Sequence, residues 1–371
     1  MAYESHQPSA IAGFSDRSLK AASKDGSQIF VWLRSLASLL IITSVSFLMA
    51  DRELYTAFDD ENNIAYFKAD SAEIVQRISS LQDPKFLVFD EPLWDIYTAF
   101  TGILLGPEDA FRLTLFLSTF LFLYCSTILG GGNWIIITFL FLIHYGLATQ
   151  MYYNQMRQGV ALSVFLVLLV SLKILSNSSR KIFSSFIAIF IHTSFLVVFA
   201  SALVSAMKPI IRIIVGILGI STLLLLFQTQ DLFEFVNAGR REGLYEGTDS
   251  LNLNFYISKI PVYAAIFYLL LPRKNDLDNS EFYHFTLILT IISISLTLVH
   301  SAGARLINNS EAMMCILVAR NIKFRAGQVA FGIFVFSIVV TNIFVDRQAT
   351  VASQESIITR WQLILFSEPY Y

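Results

Sequence analysis

Apolar blocks about long enough to cross a bilayer recur along this chain, and they constrain its fold more than any other feature. They run over 30–50, 111–129, 133–150, 159–175, 183–206, 210–227, 255–271, 282–300, 305–321 and 326–345. A backbone in hydrocarbon must satisfy its own N–H and C=O groups, so only helices and closed barrels can span. Continuous apolar runs, rather than short alternating segments, select helices. Composition agrees, with 55% of residues hydrophobic and 15% charged, against roughly a quarter charged in soluble domains. The expectation is an all-α polytopic integral membrane protein, with about ten transmembrane helices plus a re-entrant helical pair.

Basic residues orient the chain, because cytoplasmic loops carry the excess of Lys and Arg. Residues 1–29 are Ser-rich, carry Arg17, Lys20 and Lys24, and read as a disordered cytoplasmic tail. Residues 51–110 hold thirteen acidic and four basic residues, so this loop belongs outside. Amphipathic helices expected over 70–81 and 92–104 would lay it on the membrane. Lys173, Arg180 and Lys181 mark a cytoplasmic loop, as do Arg273 with Lys274, and Arg320 with Lys323 and Arg325. Within the transmembrane domain, 30–345, Arg157, the 228–254 loop and the stretch His300–Arg305 then face outward, and 346–371 form an outer tail.

Parity adds a constraint. Lys181 and Arg273 share the cytoplasmic side, so the chain between them crosses an even number of times, yet it holds three apolar runs. The run 183–206 is interrupted by His192-Thr193-Ser194 and followed by Lys208 and Arg212. It is expected to be re-entrant, with His192 near the tip, a geometry tolerated only where the tip is buried in protein or lines a cavity.

The segment Tyr152-Tyr153-Asn154-Gln155-Met156-Arg157-Gln158-Gly159 joins two spans. Taken alone, Arg157 there reads as an interfacial anchor. The outer face also gathers Arg305, the Arg240-Arg241 pair and Asp90-Glu91. Guanidinium forks donate paired hydrogen bonds to phosphate oxygens, and such fixed donors stabilise charge developing on a departing diphosphate. A nearby carboxylate or histidine can take the proton of an attacking hydroxyl. Against this, a double arginine in a loop is ordinarily solvated, and a lone His192 on an apolar helix is ordinarily a core residue. His144 and His284 read as core residues outright. Cys125 and Cys315 have no metal spacing, Gly130-Gly131-Gly132 is a turn between spans, and no cofactor or metal site is expected. A net charge of −2 gives no sign of a nucleic-acid partner.

Asn154-Gln155-Met156-Arg157-Gln158-Gly159-Val160-Ala161, an apolar span, a basic loop and Ile191-His192-Thr193-Ser194 together resemble the EpsG-type polysaccharide polymerases, within the wider Wzy-like polymerases. Ala304-Arg305-Leu306 is similar to the arginine that opens a late span in that family. Phe67-Lys68-Ala69-Asp70 and Asp90-Glu91-Pro92-Leu93-Trp94 match its first outer loop in position. Two departures stand out: the family usually has proline where this chain has Thr193, and its tyrosine after the loop aspartate has no counterpart near Asp70. The resemblance implies joining of undecaprenyl-diphosphate-linked oligosaccharides into a surface polysaccharide, O antigen, capsule or exopolysaccharide, at a bacterial inner membrane. A chain-length regulator is a candidate partner, whose binding the sequence leaves open.

On that reading Arg157 and Arg305 bind and stabilise the departing diphosphate, and Arg240 or Arg241 guides the anionic substrate. Glu91, or else His192, serves as base, while Tyr153, Asn154 and Gln158 line the site. An O-antigen-type ligase uses the same leaving group. A lipid-oligosaccharide flippase or other transporter usually has repeated halves and midplane ionisable groups. No repeat is seen here, and Glu311 is the one acidic residue well inside an expected span.

Overall fold

The computed structural model describes residues 12–52, 54, 60–68, 91–212, 214, 253–273, 277–297 and 302–351. All regular structure among them is helical. Twelve α-helices follow in order: α1 (Ala12–Ala50), α2 (Asp60–Ala65), α3 (Pro92–Leu105), α4 (Pro107–Leu129), α5 (Trp134–Ile143), α6 (Met156–Ser171), α7 (Asn177–Ile189), α8 (Phe195–Ala206), α9 (Leu253–Leu269), α10 (Leu277–Thr297), α11 (Ala302–Asn321) and α12 (Arg325–Val351). A 3-10 turn, Tyr66–Lys68, follows α2, and a π-helix, Tyr145–Asn154, lies between α5 and α6.

Four helical stretches are long and apolar enough to cross a membrane: Val31–Ala50, Pro107–Leu129, Asn279–Thr297 and Arg325–Ile343. The sequence led to an expectation of about ten, and the difference has local causes. The run 133–150 breaks at His144, whose backbone turns extended (φ −90°, ψ 107°), so α5 is only ten residues long. The run 305–321 forms a full-length helix, α11, but Arg305, Asn308, Asn309, Glu311 and Arg320 dilute its hydropathy. The run 210–227 and the expected helix at 70–81 lie mostly or wholly outside the described residues.

The run 183–206 is not one helix. Chain direction reverses over Phe190–Ser194, and α7 and α8 pack against each other, with the Phe186 and Phe199 rings 5.8 Å apart on either side of the turn. At about 1.5 Å per residue each arm reaches roughly 20 Å, short of the roughly 30 Å hydrocarbon core. Such a hairpin cannot cross and return.

The centre of the molecule is α11, from Leu306 to Ala319 almost entirely buried, with α10, α12, α5 and the π-helix packed on it. A second layer runs α1, α4, α6, then the α7–α8 hairpin, which closes back on α10. Helices α1 and α12 lie at the edges and turn Trp32, Leu40, Phe336 and Ile343 outward, as a lipid-facing surface requires.

The 51–110 segment is tied to this bundle by charge and rings. Arg52 and Asp60, both fully buried, form a two-pronged ion pair, and Arg112 donates to the carbonyls of Ala50 and Arg52 at the end of α1. Phe67 meets Trp94 and Phe111 edge-on. The Phe67 carbonyl lies so close to Gly102 that a Cβ there would sit 2.0 Å from it. One face of α3 therefore seats on the bundle, while Phe100, Ile103 and Leu104 point outward, the amphipathic pattern expected over 92–104.

Candidate functional site

Three distant stretches meet at the tip of the α7–α8 hairpin. Glu91 precedes α3, Arg157 lies in the first turn of α6, and His192 and Thr193 form the hairpin turn. The Leu93 amide donates to the Phe190 carbonyl at 2.9 Å, which docks the start of α3 on the turn. Glu91 has a left-handed backbone (φ 54°, ψ 53°), the only such non-glycine among the described residues. With Pro92 after it, this conformation costs about 1–3 kcal/mol and persists only where its surroundings enforce it.

Those surroundings are the site. Arg157 Nη1 donates to Glu91 Oε2 at 2.5 Å, and the Thr193 amide donates to Glu91 Oε1 at 3.2 Å. The carboxylate is 2% exposed, whereas Arg157 keeps 23% of its side chain open. Glu91 is thus the buried partner and Arg157 the one that reaches outward. The guanidinium also lies over the Tyr66 ring, 4.7 Å from its centroid, a contact worth about 0.5–2 kcal/mol. His192 Nδ1 accepts from the Ser194 amide at 3.0 Å and sits 4.0 Å from Glu91 Oε1. With Nδ1 occupied as an acceptor, a neutral ring carries its proton on Nε2 and acts as a donor.

An arginine with one nitrogen bonded to a buried carboxylate still has donors to spare. Held from one side by Glu91 and from one face by Tyr66, it is pre-oriented for an anionic oxygen. Gln158, fully buried, stands beside it in α6. The site can therefore bind an anionic group, and the structure brings Glu91, Arg157 and His192 to one place, whereas Gln158 is the buried neighbour of Arg157 in sequence. Arg240 and Arg241 lie outside the described residues, as do the side chains of Arg305, Tyr153 and Asn154. Arg305 belongs to the first turn of α11, and Tyr153 and Asn154 close the π-helix. Among the described residues no three His, Cys, Asp or Glu side chains gather as metal ligands would.

His144 is buried, as its reading as a core residue has it, but it faces a second polar cluster. His144 Nε2 lies 3.0 Å from Glu311 Oε2. Lys259 Nζ donates to Glu311 Oε1 at 2.6 Å, and Tyr263 donates to the same oxygen. All four side chains are buried. Glu311 was visible in the sequence as a charge inside an apolar run, and a charge there demands a partner; Lys259, inside the run 255–271, was not singled out. The pairing was not visible, because 52 positions separate Lys259 from Glu311. Among the described residues His284, by contrast, hydrogen-bonds only within its own helix, to Ser280.

Comparison with family models, curated proteins and solved structures finds no match.

Proposed function

We propose that the chain is a membrane polymerase that joins lipid-diphosphate-linked oligosaccharide repeat units into a surface polysaccharide, at the outer side of a bacterial inner membrane. The observation that carries the reading is the meeting of Arg157, Glu91 and the His192 turn. These are the positions at which the sequence resembles the EpsG-type polymerases, and they come from three separate parts of the chain.

In this reading Arg157 receives the diphosphate of the donor and stabilises the charge that grows on it as the glycosyl bond breaks. Glu91 first orients Arg157. As the diphosphate draws the guanidinium toward itself, the carboxylate regains a free oxygen for the acceptor sugar's hydroxyl and takes its proton during attack. His192 contributes a hydrogen-bond donor. Arg305, Arg240 and Arg241 complete the positive mouth, and about ten crossings with a re-entrant hairpin make up the bundle.

Polysaccharide length on a gel tests this in a deletion strain complemented with wild type, Arg157→Ala or Glu91→Ala at matched membrane levels. Both variants are expected to stop at a single repeat. Normal ladders from both would contradict the proposal, and long chains that stay on the lipid carrier would indicate a ligase.

A second reading, a transporter of lipid-linked sugars, is favoured by one observation, the buried Glu311–Lys259–His144 cluster within the apolar helices. Transporters place ionisable groups there. Flipping of a labelled lipid-linked sugar without chain growth would select it.

A further inference from the structure

The π-helix Tyr145–Asn154 is bracketed by the two charged sites. Immediately before it, His144 faces Glu311 on α11; three residues beyond its end, Arg157 meets Glu91. A π-helix is rarely stable over more than a single turn, and where one persists it is usually at a functional site. This one extends over ten residues and is held at both ends. At its start, a Cβ on Gly146 would come within 2.4 Å of Asn308 Oδ1, so the backbone lies directly on α11 one turn from Glu311. Toward its end, Tyr152 bonds Ser163 of α6 at 2.9 Å and packs against Phe122 and Phe141. A Cβ on Gly159 would meet the Met151 carbonyl at 2.8 Å, so the last turn rests on the start of α6.

We propose that Glu311 and His144 are positioning residues for Arg157. Their contact pins the first turn of the π-helix to α11, and the π-helix, seated on α6, sets where Arg157 enters the Glu91 site. Lys259 and Tyr263 hold the Glu311 carboxylate in place for this task, which explains why four polar side chains are kept at a cost inside apolar helices. That Arg157 is the working residue rests on the proposed function. The positioning itself does not, and it is tested without substrate.

The test is backbone hydrogen exchange by mass spectrometry on the purified full chain in lipid nanodiscs. His144→Leu, close in volume and without a donor or a charge, keeps the Lys259–Glu311 pair and removes the anchor. Exchange is expected to rise about tenfold over 145–160, the scale of losing one buried charged contact, with α10 and the α7–α8 hairpin unchanged. Tyr263→Phe, which alters no charge, should raise exchange in the same segment by less. Glu311→Asp, which keeps the charge, should stay closer to wild type than Glu311→Gln. Unchanged exchange over 145–160 in His144→Leu would overturn the proposal. So would a rise shared equally by all helices in both His144→Leu and Tyr263→Phe, which would make the cluster a general support of the fold.

Discussion

In the proposed function, Arg157 gains its value from being oriented before a ligand arrives. Lysine offers a point charge with no planar fork, so Arg157→Lys is expected to keep the protein folded and lose at least about a hundredfold in chain growth, the scale of removing one fixed donor to a developing anion. Glu91→Gln tests the partner: it preserves shape and removes the charge, and repeat-unit joining measured on isolated membranes should fall about a hundredfold as well. Full activity in Glu91→Gln would show that the carboxylate does no more than fill space. At this scale the sequence was informative about identity and silent about contact. Arg157, Glu91 and His192 could each be singled out by residue type and motif, but 66 positions separate Glu91 from Arg157 and 102 separate it from Thr193. Thr193 contributes only its backbone amide, which no reading of side chains can find. His144 is the core residue the sequence suggests, but its partner Glu311 was hidden for a related reason, lying on a helix far along the chain.

At the scale of elements, the hairpin turn and the α3 docking surface decide whether the site exists. Proline has no amide hydrogen but is the residue the resembled polymerases usually have here, so Thr193→Pro should remove the donor to Glu91 Oε1 at only a partial loss of activity, whereas Thr193→Ala keeps the amide and should stay near wild type. The two variants compared in the same ladder assay separate the backbone's part from the side chain's. Gly102 lets α3 touch the Phe67 carbonyl. Gly102→Ala should cost about 1–3 kcal/mol through overpacking, read as a lower melting temperature in detergent, while Gly332→Ala, with open space around it, should not. The broken run at 183–206 was legible, because polar residues interrupt an apolar stretch. The π-helix was not, since a change from i→i+4 to i→i+5 bonding leaves no mark in hydropathy, and 133–150 read as one continuous span.

For the whole molecule, apolar length and the placement of Lys and Arg carry the architecture. The helical class was legible from them, as was the presence of membrane-length segments. The number of crossings was less so, because central helices shielded by others tolerate polar residues and interruptions that a lipid-facing helix does not. Parity makes a direct prediction. In intact cells, a membrane-impermeant thiol reagent should label Tyr245→Cys, in the 228–254 loop, from outside, and should reach Ser176→Cys only after the cells are opened. Both native cysteines are buried, so background labelling should be low. Outside labelling of Ser176→Cys would invert the topology and move Arg157 to the cytoplasmic face.

The central claim is that Arg157, held by Glu91 at the hairpin tip, handles a lipid diphosphate during sugar transfer. Its most direct test is the purified protein in proteoliposomes with a labelled undecaprenyl-diphosphate-linked repeat unit, following product length and released carrier together. The account predicts that wild type makes multi-repeat products and releases carrier diphosphate in step, and that Arg157→Ala does neither while remaining folded. Multi-repeat products from Arg157→Ala at the wild-type rate would contradict it.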